Sequence, residues 1–345
     1  MTEHGALYRK YRPETFEEVR DQDHIVKVLQ GAIKKTEIPH AILFSGTRGT
    51  GKTTLARIFA KAIGTNPIDM YEIDAASNRG IDDIRELKEA VHTVPYESKY
   101  KVYIVDEVHM LTKEAFNALL KTLEEPPAHV VFILATTEEE KLLDTILSRC
   151  QVFRFRSPSR AVLAKTVTDV AEKEGFKLSP DAADLIAVAA DGSFRDALGV
   201  TQKVILASGD EIGNADEVAV IIGAPKQAIM TELLLAFDGK DTGLGLKAVA
   251  QAVAEHADIK LLVRMLLEHV RAVMLLRNQP DNSEVILAPF GPDMKTQLTT
   301  IAKNPTTTLN SHLLLKLISV AEQTNYSPLP YLPLEIALVQ HSESK

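Results

Sequence analysis

Eight consecutive residues in the first quarter of the chain have the types and spacing needed to bind the phosphates of a nucleotide. The run Gly46-Thr47-Arg48-Gly49-Thr50-Gly51-Lys52-Thr53 fits the pattern G-x-x-x-x-G-K-[ST]. Its glycines let backbone N–H groups turn toward an anion, and a following helix N-terminus adds a fixed partial positive charge. In this pattern the lysine reaches the β- and γ-phosphates and the last hydroxyl binds Mg²⁺. The run, with Thr54 after it, therefore predicts a nucleoside-triphosphate site.

The segments around this loop are the ones that such a site requires. Residues 41–44 are an apolar run that predicts a buried parallel strand, and residues 54–63 have the spacing of an amphipathic helix. Further along, the apolar run 101–105 ends at Asp106 and Glu107. Because parallel strands end at one edge of a sheet, we expect Asp106 beside the phosphate loop, where it can hold Mg²⁺. Glu107 can polarise the attacking water, since phosphoryl transfer depends on positioning and charge stabilisation.

Other strands and helices complete an alternating α/β pattern in this part of the chain. Helices are predicted at 25–33, 81–87 and 111–123, and strands at 70–74, 130–135 and 152–155. The strand at 130–135 ends at Thr136 and Thr137, whose hydroxyls could sense the γ-phosphate or position water. Threonine at a strand end is also unremarkable.

Three groups of arginines admit a functional and an ordinary interpretation on local grounds. Arg149 could be a surface cation or a finger that stabilises charge on a neighbouring subunit's γ-phosphate. Arg195 lies in the first turn of a helix that Ser193 could cap, where a cation opposes the helix dipole, so bound phosphate or Asp196 would be its partner. Arginines 79 and 85 flank a helix start that could bind nucleic-acid phosphate or be an ordinary capped surface helix.

The N-terminal arm at residues 7–12 is basic and aromatic and precedes Pro13. One interpretation is a solvated arm, which is common. The other is an arm that folds over the nucleotide base, with Tyr11, Arg12 and Phe16 near the adenine edge. The pattern of residues alone does not choose between them.

Composition limits the class of protein. The chain has 345 residues, of which 45% are hydrophobic, so it can bury real cores. A formal net charge of −8 argues against a nonspecific polycation but not against a local DNA-binding face. The single cysteine, Cys150, excludes an internal disulfide and a cysteine-based zinc cluster, and it fits a reducing cytoplasm. There is no apolar run of transmembrane length and no secretory signal at the start, so we expect a cytoplasmic protein.

The rest of the chain is predicted to be helical, with boundaries at Ser157-Pro158-Ser159 and Gly223-Ala224-Pro225. After the first boundary we predict helices at 159–174, 180–190, 194–208 and 215–222. After the second we predict helices at 226–238, 241–256, 258–277, 293–303, 308–326 and 332–341. The last group carries no catalytic constellation, which indicates a module for assembly.

Several runs of letters together resemble a known family. They are FSGTRGTGKTT at 44–54, VDEVHML at 105–111, NALLKTLEEPP at 117–127, LATT at 134–137, ILSRC at 146–150 and GSFRDAL at 192–198. They are similar to the gamma/tau family of bacterial DNA polymerase III subunits, the ATP-driven motors of the sliding-clamp loader within the AAA+ superfamily. The resemblance is strong over the first two-thirds of the chain and concerns only length and helical pattern in the last third.

The resemblance implies a fold and a set of domains. It implies an α/β P-loop AAA+ domain, with a parallel sheet flanked by helices, followed by a helical lid and an all-α collar domain. The corresponding ranges are 1–157 for the nucleotide-binding core, 158–223 for the lid and 224–345 for the collar.

The resemblance also implies roles for single residues. Arg149 matches an arginine finger that acts in trans, and Arg195 matches the lid arginine that reads the γ-phosphate. Thr136 and Thr137 match the first sensor region, and Lys121 matches a residue thought to couple DNA contact to the catalytic glutamate. The arm LYRKYRPETF, with Tyr11 and Arg12, matches the segment that contacts the base.

The chain departs from the family pattern in two places. The family usually carries a four-cysteine zinc module between the phosphate-loop helix and the second strand, but here that region is the short AKAIGTNPIDMYEIDAAS, so we expect no zinc. The NRGIDDIR turn at 78–85 looks more like related clamp-loader subunits of archaea and eukaryotes than like the usual bacterial one. The tau-type extensions are missing from these 345 residues.

The expected function is that of an ATP- and Mg²⁺-dependent clamp-loader subunit within a DNA polymerase III holoenzyme. The expected partners are other clamp-loader subunits in a hetero-pentameric ring, the sliding clamp and primer-template DNA, without a membrane. One alternative is a non-hydrolysing structural subunit. Such subunits lack a working phosphate loop, whereas this chain has Lys52, Thr53, Asp106 and Glu107. Another is a different AAA+ machine, such as a branch-migration motor or a protein-remodelling ATPase.

Overall fold

A computed structural model describes residues 5–77, 87, 89–208 and 215–343. The strands are β1 Ala41–Ser45, β2 Met70–Asp74, β3 Lys101–Asp106, β4 Val130–Thr136 and β5 Gln151–Arg154. The helices of the first half are α1 Leu7–Lys10, α2 Asp23–Lys35, α3 Lys52–Ala62, α4 Lys113–Glu124, α5 Asp144–Leu147, α6 Arg160–Lys173 and α7 Pro180–Ala189. Those that follow are α8 Phe194–Ser208, α9 Ala215–Ile222, α10 Gln227–Gly239, α11 Thr242–Ala254, α12 Ile259–Asn278, α13 Ser283–Leu287, α14 Pro292–Lys303, α15 Ser311–Thr324 and α16 Leu332–Glu343.

The strands form one parallel sheet in the order β2-β3-β4-β1-β5. At the carboxyl end of the sheet, Ser45 of β1 is in register with Thr136 of β4 and Arg154 of β5. Asp74 of β2 is in register with Asp106 of β3. The predicted parallel sheet is confirmed, and the segments that follow β1, β3 and β4 leave it at one common edge.

Helices cover both faces of this sheet, which is why its inner strands are continuous apolar runs rather than alternating ones. Ile42 and Phe44 point to one face, where they pack with residues of α2 and α3 such as Phe59. Leu43 points to the other face, where it packs with residues of α4 such as Leu119. Each fully buried side chain of this size contributes about 1.5–3 kcal/mol through burial.

The contacts divide the chain into two compact units. The first comprises Met1–Thr166 and Ala190–Gly199, and the second comprises Val167–Ala189 and Val200–Lys345. The second unit is helical in its described residues. Its largest core cluster packs α10, α11, α12, α15 and α16 around residues such as Phe237 and Leu262. The division into three domains, with boundaries at residues 157 and 223, stays a prediction.

The elements differ from the predicted ones mostly by one to three residues at their ends. The helix predicted at 111–123 begins at Lys113, because the Thr112 hydroxyl accepts a hydrogen bond from the Ala115 N–H and caps it there. Val108–Met110 form a separate 3-10 turn before it. The short helices α1, α5 and α13 were not predicted. The predicted turn at 78–80 and most of the predicted helix at 81–87, with arginines 79 and 85, lie outside the described residues.

Among the described residues, no helix combines the length and the apolar character that a membrane crossing requires.

Candidate nucleotide-binding site

The phosphate loop connects β1 to α3 at the carboxyl edge of the sheet. Gly46 and Gly49 have φ angles of +147° and +77°, which side chains with a Cβ rarely adopt. Gly46 also packs closely on Phe155: a Cβ at position 46 would lie 2.8 Å from the Phe155 Cβ. A glycine at this end of β1 is therefore needed for both its conformation and its neighbours.

Lys52 is the first residue of α3, and only 6% of it is exposed. Its ammonium donates hydrogen bonds to the backbone oxygens of Gly46 at 2.6 Å and of Thr47 at 2.9 Å, inside the loop. Burial lowers the pKa of Lys52, and the nearby carboxylates of Glu107 and Asp106 oppose that shift. The side chain is thus held where a phosphate bound by the loop would meet it.

Thr53 and Asp106 place two oxygen atoms side by side. The Thr53 hydroxyl donates to Asp106 Oδ2 at 2.6 Å, and the other carboxylate oxygen accepts the Glu107 N–H at 3.0 Å. Oxygen donors suit Mg²⁺, which usually binds only one or two protein groups and keeps several waters. The pair therefore fits the predicted metal site, and its role as a ligand set remains a prediction. When bound, Mg²⁺ neutralises charge on the β- and γ-phosphates.

Glu107 follows β3 in an unusual backbone conformation. Its φ and ψ angles are 48° and 44°, in the left-handed region, where residues other than glycine are uncommon. Its Oε2 accepts a hydrogen bond from the Thr137 hydroxyl at 3.0 Å. Thr136 is fully buried, and its hydroxyl lies 2.9 Å from His109 Nδ1 and accepts the Glu138 N–H at 3.0 Å. Both threonines predicted as sensors therefore contact the turn after β3: Thr137 contacts Glu107, and Thr136 contacts His109.

The segment around Arg195 contacts the phosphate loop. The Phe194 N–H donates to the Gly49 oxygen at 3.0 Å, and a Cβ at Gly49 would lie 2.0 Å from Ser193 Oγ. Ser193 caps α8, because its hydroxyl accepts the Asp196 N–H at 3.2 Å, as the sequence predicts. Arg195, in the first turn, is thereby brought to the loop.

The N-terminal arm contacts Arg195 through Tyr8. The Arg195 guanidinium lies over the Tyr8 ring, with its Cζ 5.7 Å from the ring centroid. Burial lowers the pKa of Arg12, and the positive charges of Arg57 and Arg195 add to that effect while Glu72 opposes it. Arg12 is therefore close to Arg57 and Arg195, in a cationic environment that would favour an anionic ligand. Its predicted contact with the base, and that of Tyr11, remain predictions.

Arg149 lies elsewhere on the same unit. Its Nη1 donates to the Thr145 oxygen and its Nη2 to Glu124 Oε1, both at 2.7 Å. With Glu124 and His40 it lines an open depression. His40 immediately precedes β1, and the phosphate loop immediately follows β1. Arg149, beside His40, therefore lies at the amino end of the strands, about one strand length, or 17 Å, from the phosphate loop at their carboxyl end. That position is compatible with action on another subunit rather than on its own loop.

The remaining predicted loop residues are placed as follows. The Thr47 hydroxyl lies 3.0 Å from Ser157 Oγ, and the Thr50 hydroxyl donates to the Thr47 oxygen at 2.9 Å. Arg48 is exposed, Gly51 precedes α3 with a φ of +102°, and Thr54 is half-buried in the first turn of that helix. Lys121 is exposed on α4. Among the described residues, no group of three or more His, Cys, Asp or Glu could hold a metal ion.

The site contains contacts that the sequence analysis missed. His109 and Glu138 meet beside Glu107, with His109 Nε2 3.2 Å from Glu138 Oε1. His109 lies in the run VDEVHML, two residues after Glu107, and this polar residue so close to the two carboxylates could have indicated the contact. Arg57 of α3 also pairs with Glu72 of β2, which no local pattern indicated.

The fold and the loop define a class of fold: a P-loop α/β domain of the AAA+ fold, followed by helical segments. Among solved structures, the RuvB Holliday junction branch migration motor of Thermotoga maritima matches with a TM-score of 0.53 and 22% sequence identity. The match covers 71% of this chain and 85% of that one. At this identity the likeness establishes the fold alone.

By sequence, the chain is similar to the tau and gamma subunits of bacterial DNA polymerase III. It is 40% identical to DNA polymerase III subunit tau of Bacillus subtilis over 296 residues, which are 80% of this chain and 52% of that protein. It is 41% identical to subunit tau of Escherichia coli over 239 residues, covering 63% of this chain and 37% of the relative.

Two family models agree with these relatives. Residues 66–159 match a model described as DNA polymerase III, delta subunit. Residues 163–210 match a model described as DNA polymerase III clamp loader subunit, ATPase lid domain. The chain spans about half the length of the Bacillus subtilis relative.

Proposed function

We propose that this chain is the ATP-hydrolysing motor subunit of a DNA sliding-clamp loader, which opens the ring-shaped clamp and places it on primed DNA during chromosomal replication. The observation that carries the proposal is the proximity of four side chains, at the carboxyl end of the sheet, that ATP hydrolysis would use. Lys52, Thr53, Asp106 and Glu107 lie together there, in a chain 40% identical to a tau subunit.

ATP is the proposed substrate. The loop N–H groups and the start of α3 would bind its β- and γ-phosphates, with Lys52 exchanging its two carbonyl partners for phosphate oxygens. Thr53 and Asp106 would hold Mg²⁺. Glu107 would orient the attacking water and accept its proton. The base would lie against the N-terminal arm near Tyr11 and Arg12.

Two arginines would complete the site from different directions. Arg195 would contact the γ-phosphate of the same subunit, since Phe194 is already hydrogen bonded to the loop at Gly49. Arg149 would act on the nucleotide of a neighbouring subunit, because it lies toward the other edge of its own sheet. Hydrolysis would then require assembly with other clamp-loader subunits, in a hetero-pentameric ring that also binds the clamp and primer-template DNA in the cytoplasm.

Nucleotide can drive such a cycle only through different affinities for different states of the ring. ATP-bound subunits would favour the arrangement that holds the clamp open. Primed DNA would bring Glu107 of one subunit and Arg149 of the next into register. Loss of the γ-phosphate would remove the contacts of Lys52 and both arginines, and the grip on clamp and DNA would weaken together.

The test is the steady-state ATPase rate of the full assembly, with and without primed DNA and clamp. Wild type is compared with Lys52→Ala and Arg149→Ala. Lys226→Ala serves as the control, because it removes a similar exposed ion pair, with Glu255, in the second unit. We expect joint stimulation by clamp and DNA in wild type and in the control, and its loss in the other two variants.

Each other outcome contradicts the proposal in a distinct way. Stimulation by DNA alone, indifferent to the clamp, would indicate a motor that moves along DNA. No hydrolysis in any complete assembly would indicate a structural subunit and would make the catalytic assignments wrong.

A further inference from the structure

We propose that His109 is a positioning residue for Glu107, and that it restrains the Glu107 carboxylate by linking the turn after β3 to Glu138 after β4. This inference rests on the proposed ATPase function, because Glu107 matters only if it orients water for hydrolysis. His109 itself would touch neither nucleotide nor water.

The His109 ring is enclosed by polar groups from both strands. Its side chain is only 5% exposed. Nδ1 lies 2.9 Å from the Thr136 hydroxyl and 3.5 Å from Glu107 Oε2, while Nε2 lies 3.2 Å from Glu138 Oε1. A buried imidazole in contact with two carboxylates is not explained by apolar packing.

The hydrogen bonds around the ring can all be satisfied at once. The Thr136 oxygen already accepts the Glu138 N–H at 3.0 Å, so its own hydroxyl hydrogen can be donated to Nδ1. Nε2–H then donates to Glu138. In this arrangement Nδ1 carries no hydrogen, so the ring contacts Glu107 Oε2 at 3.5 Å without a hydrogen bond and limits its position sterically, while the Thr137 hydroxyl donates to the same oxygen at 3.0 Å.

The backbone conformation of Glu107 explains why this residue needs contacts that fix it. Its left-handed φ and ψ are sparsely populated for a residue with a Cβ and persist only when the surroundings fix them. The Met110 N–H donates to the Glu107 oxygen at 2.8 Å and closes the 3-10 turn that carries His109. The turn therefore keeps Glu107 and His109, which are two residues apart, close together.

Glu138 is itself anchored on its far side. Lys141 Nζ lies 2.5 Å from Glu138 Oε2, which leaves Oε1 for His109. The hydrogen bond from Lys141 lowers the pKa of Glu138, so this carboxylate stays charged and remains an acceptor. A continuous chain of contacts thus runs from Lys141 through Glu138 and His109 to Glu107, and it bypasses the phosphate loop.

The experiment uses the complete clamp-loader assembly with clamp, primed DNA and Mg²⁺, and it separates kcat from KM for ATP. We expect His109→Leu to lower kcat by up to about 100-fold, the scale on which a misplaced catalytic group acts, with KM for ATP and the affinity for a fluorescent ATP analogue within about twofold of wild type. His109→Gln, which keeps a hydrogen-bond donor on a side chain of similar reach, should recover most of the rate.

Glu138 supplies the second arm of the test. Glu138→Gln should lower kcat with KM unchanged, and the double variant with His109→Leu should be no slower than His109→Leu alone, since both act through one contact. Glu139→Gln is the control, because Glu139 pairs with Arg154 and not with His109.

Three results would overturn the inference. One is a His109→Leu assembly as active as wild type. Another is an equal loss in His109→Leu and His109→Gln, together with weaker binding of the ATP analogue and a lower melting temperature, which would indicate a packing role. The third is full additivity of His109→Leu and Glu138→Gln. Absence of hydrolysis in the wild-type assembly would instead overturn the proposed function, and this inference with it.

Discussion

The guanidinium of Arg149 is hydrogen bonded to the carboxylate of Glu124 in the same chain, with 2.7 Å between Nη2 and Oε1. The two side chains are 32% and 49% exposed, so solvent screens their attraction. A second hydrogen bond, from Nη1 to the Thr145 oxygen, holds the guanidinium independently of Glu124. Glu124 therefore helps to orient Arg149, but it is not its only support.

The first prediction separates these two residues. In the assembled loader, Arg149→Ala should reduce stimulated hydrolysis by about 10³-fold or more, as the loss of an arginine finger does in other phosphoryl-transfer systems. Glu124→Gln should reduce it by no more than about fivefold, because an exposed ion pair contributes about 0–1 kcal/mol. The rates are measured at saturating ATP. Equal losses in both variants would mean that Glu124 has a role of its own.

The second prediction concerns Lys52. Lys52→Ala should weaken binding of a fluorescent ATP analogue by at least about tenfold, because a charge-assisted contact with phosphate contributes about 1.5–3 kcal/mol. The control is Lys61→Ala, which removes an exposed lysine near the end of the same helix. Equilibrium titration followed by fluorescence anisotropy gives both affinities. An unchanged affinity in Lys52→Ala would contradict the assignment of the loop.

The third prediction is a pH dependence of stability. Asp69 is buried and accepts the backbone N–H groups of Tyr96, Glu97 and Ser98 at 2.6, 2.9 and 2.8 Å. Although burial raises the pKa of this carboxyl, these hydrogen bonds outweigh it and lower the pKa to about 2, from 3.8. A lowered folded-state pKa gives stability that is fully present above about pH 4 and is lost as the pH falls through about 2.

Asp69→Asn tests that dependence. At pH 7 it should lower the free energy of unfolding by about 1–3 kcal/mol, because buried N–H groups lose a charged acceptor. The difference between wild type and variant should shrink as the pH is lowered from 4 toward 2. Urea unfolding followed by circular dichroism at several pH values measures it. A difference that stays constant over this range would contradict the assigned cause.

The fourth prediction compares two glycines. At Gly49, where φ is +77° and an added Cβ would lie 2.0 Å from Ser193 Oγ, Gly49→Ala should destabilise the protein by about 1–3 kcal/mol. At Gly31, inside α2 with open space around it, Gly31→Ala should stabilise by about 0.4–1 kcal/mol. Thermal unfolding of both variants is the measurement. Similar shifts of the same sign would show that the close contact at Gly49 is not what matters.

Much of this architecture could be predicted because its signals are local. The apolar runs at β1, β3 and β4 are strands buried on both faces, and the phosphate loop connects a strand to a helix. The proximity of Asp106 to Thr53 followed from the rule that parallel strands end at one edge.

What could not be predicted depends on contacts between distant segments. Lys101 lies in an apolar strand, and nothing in its neighbours reveals that its buried ammonium donates to the Ala90 oxygen and the Thr93 hydroxyl. The contact of His109 with Glu138 depends on β3 and β4 being adjacent in the sheet. The left-handed backbone of Glu107 likewise results from the turn that follows this residue. An acidic residue after a strand does not by itself predict that conformation.

The close packing of Ser193 on Gly49 has a consequence for how the phosphate loop should vary among related sequences. In the pattern G-x-x-x-x-G-K-[ST], position 49 is one of the free positions, so phosphate binding does not require glycine there. Glycine is instead required by its conformation and by the serine 2.0 Å from where a Cβ would stand. Position 49 is therefore expected to remain glycine among related sequences whatever residue stands at position 193, and a residue larger than serine at position 193, more than a hundred residues away, is expected to displace the start of α8 from the loop.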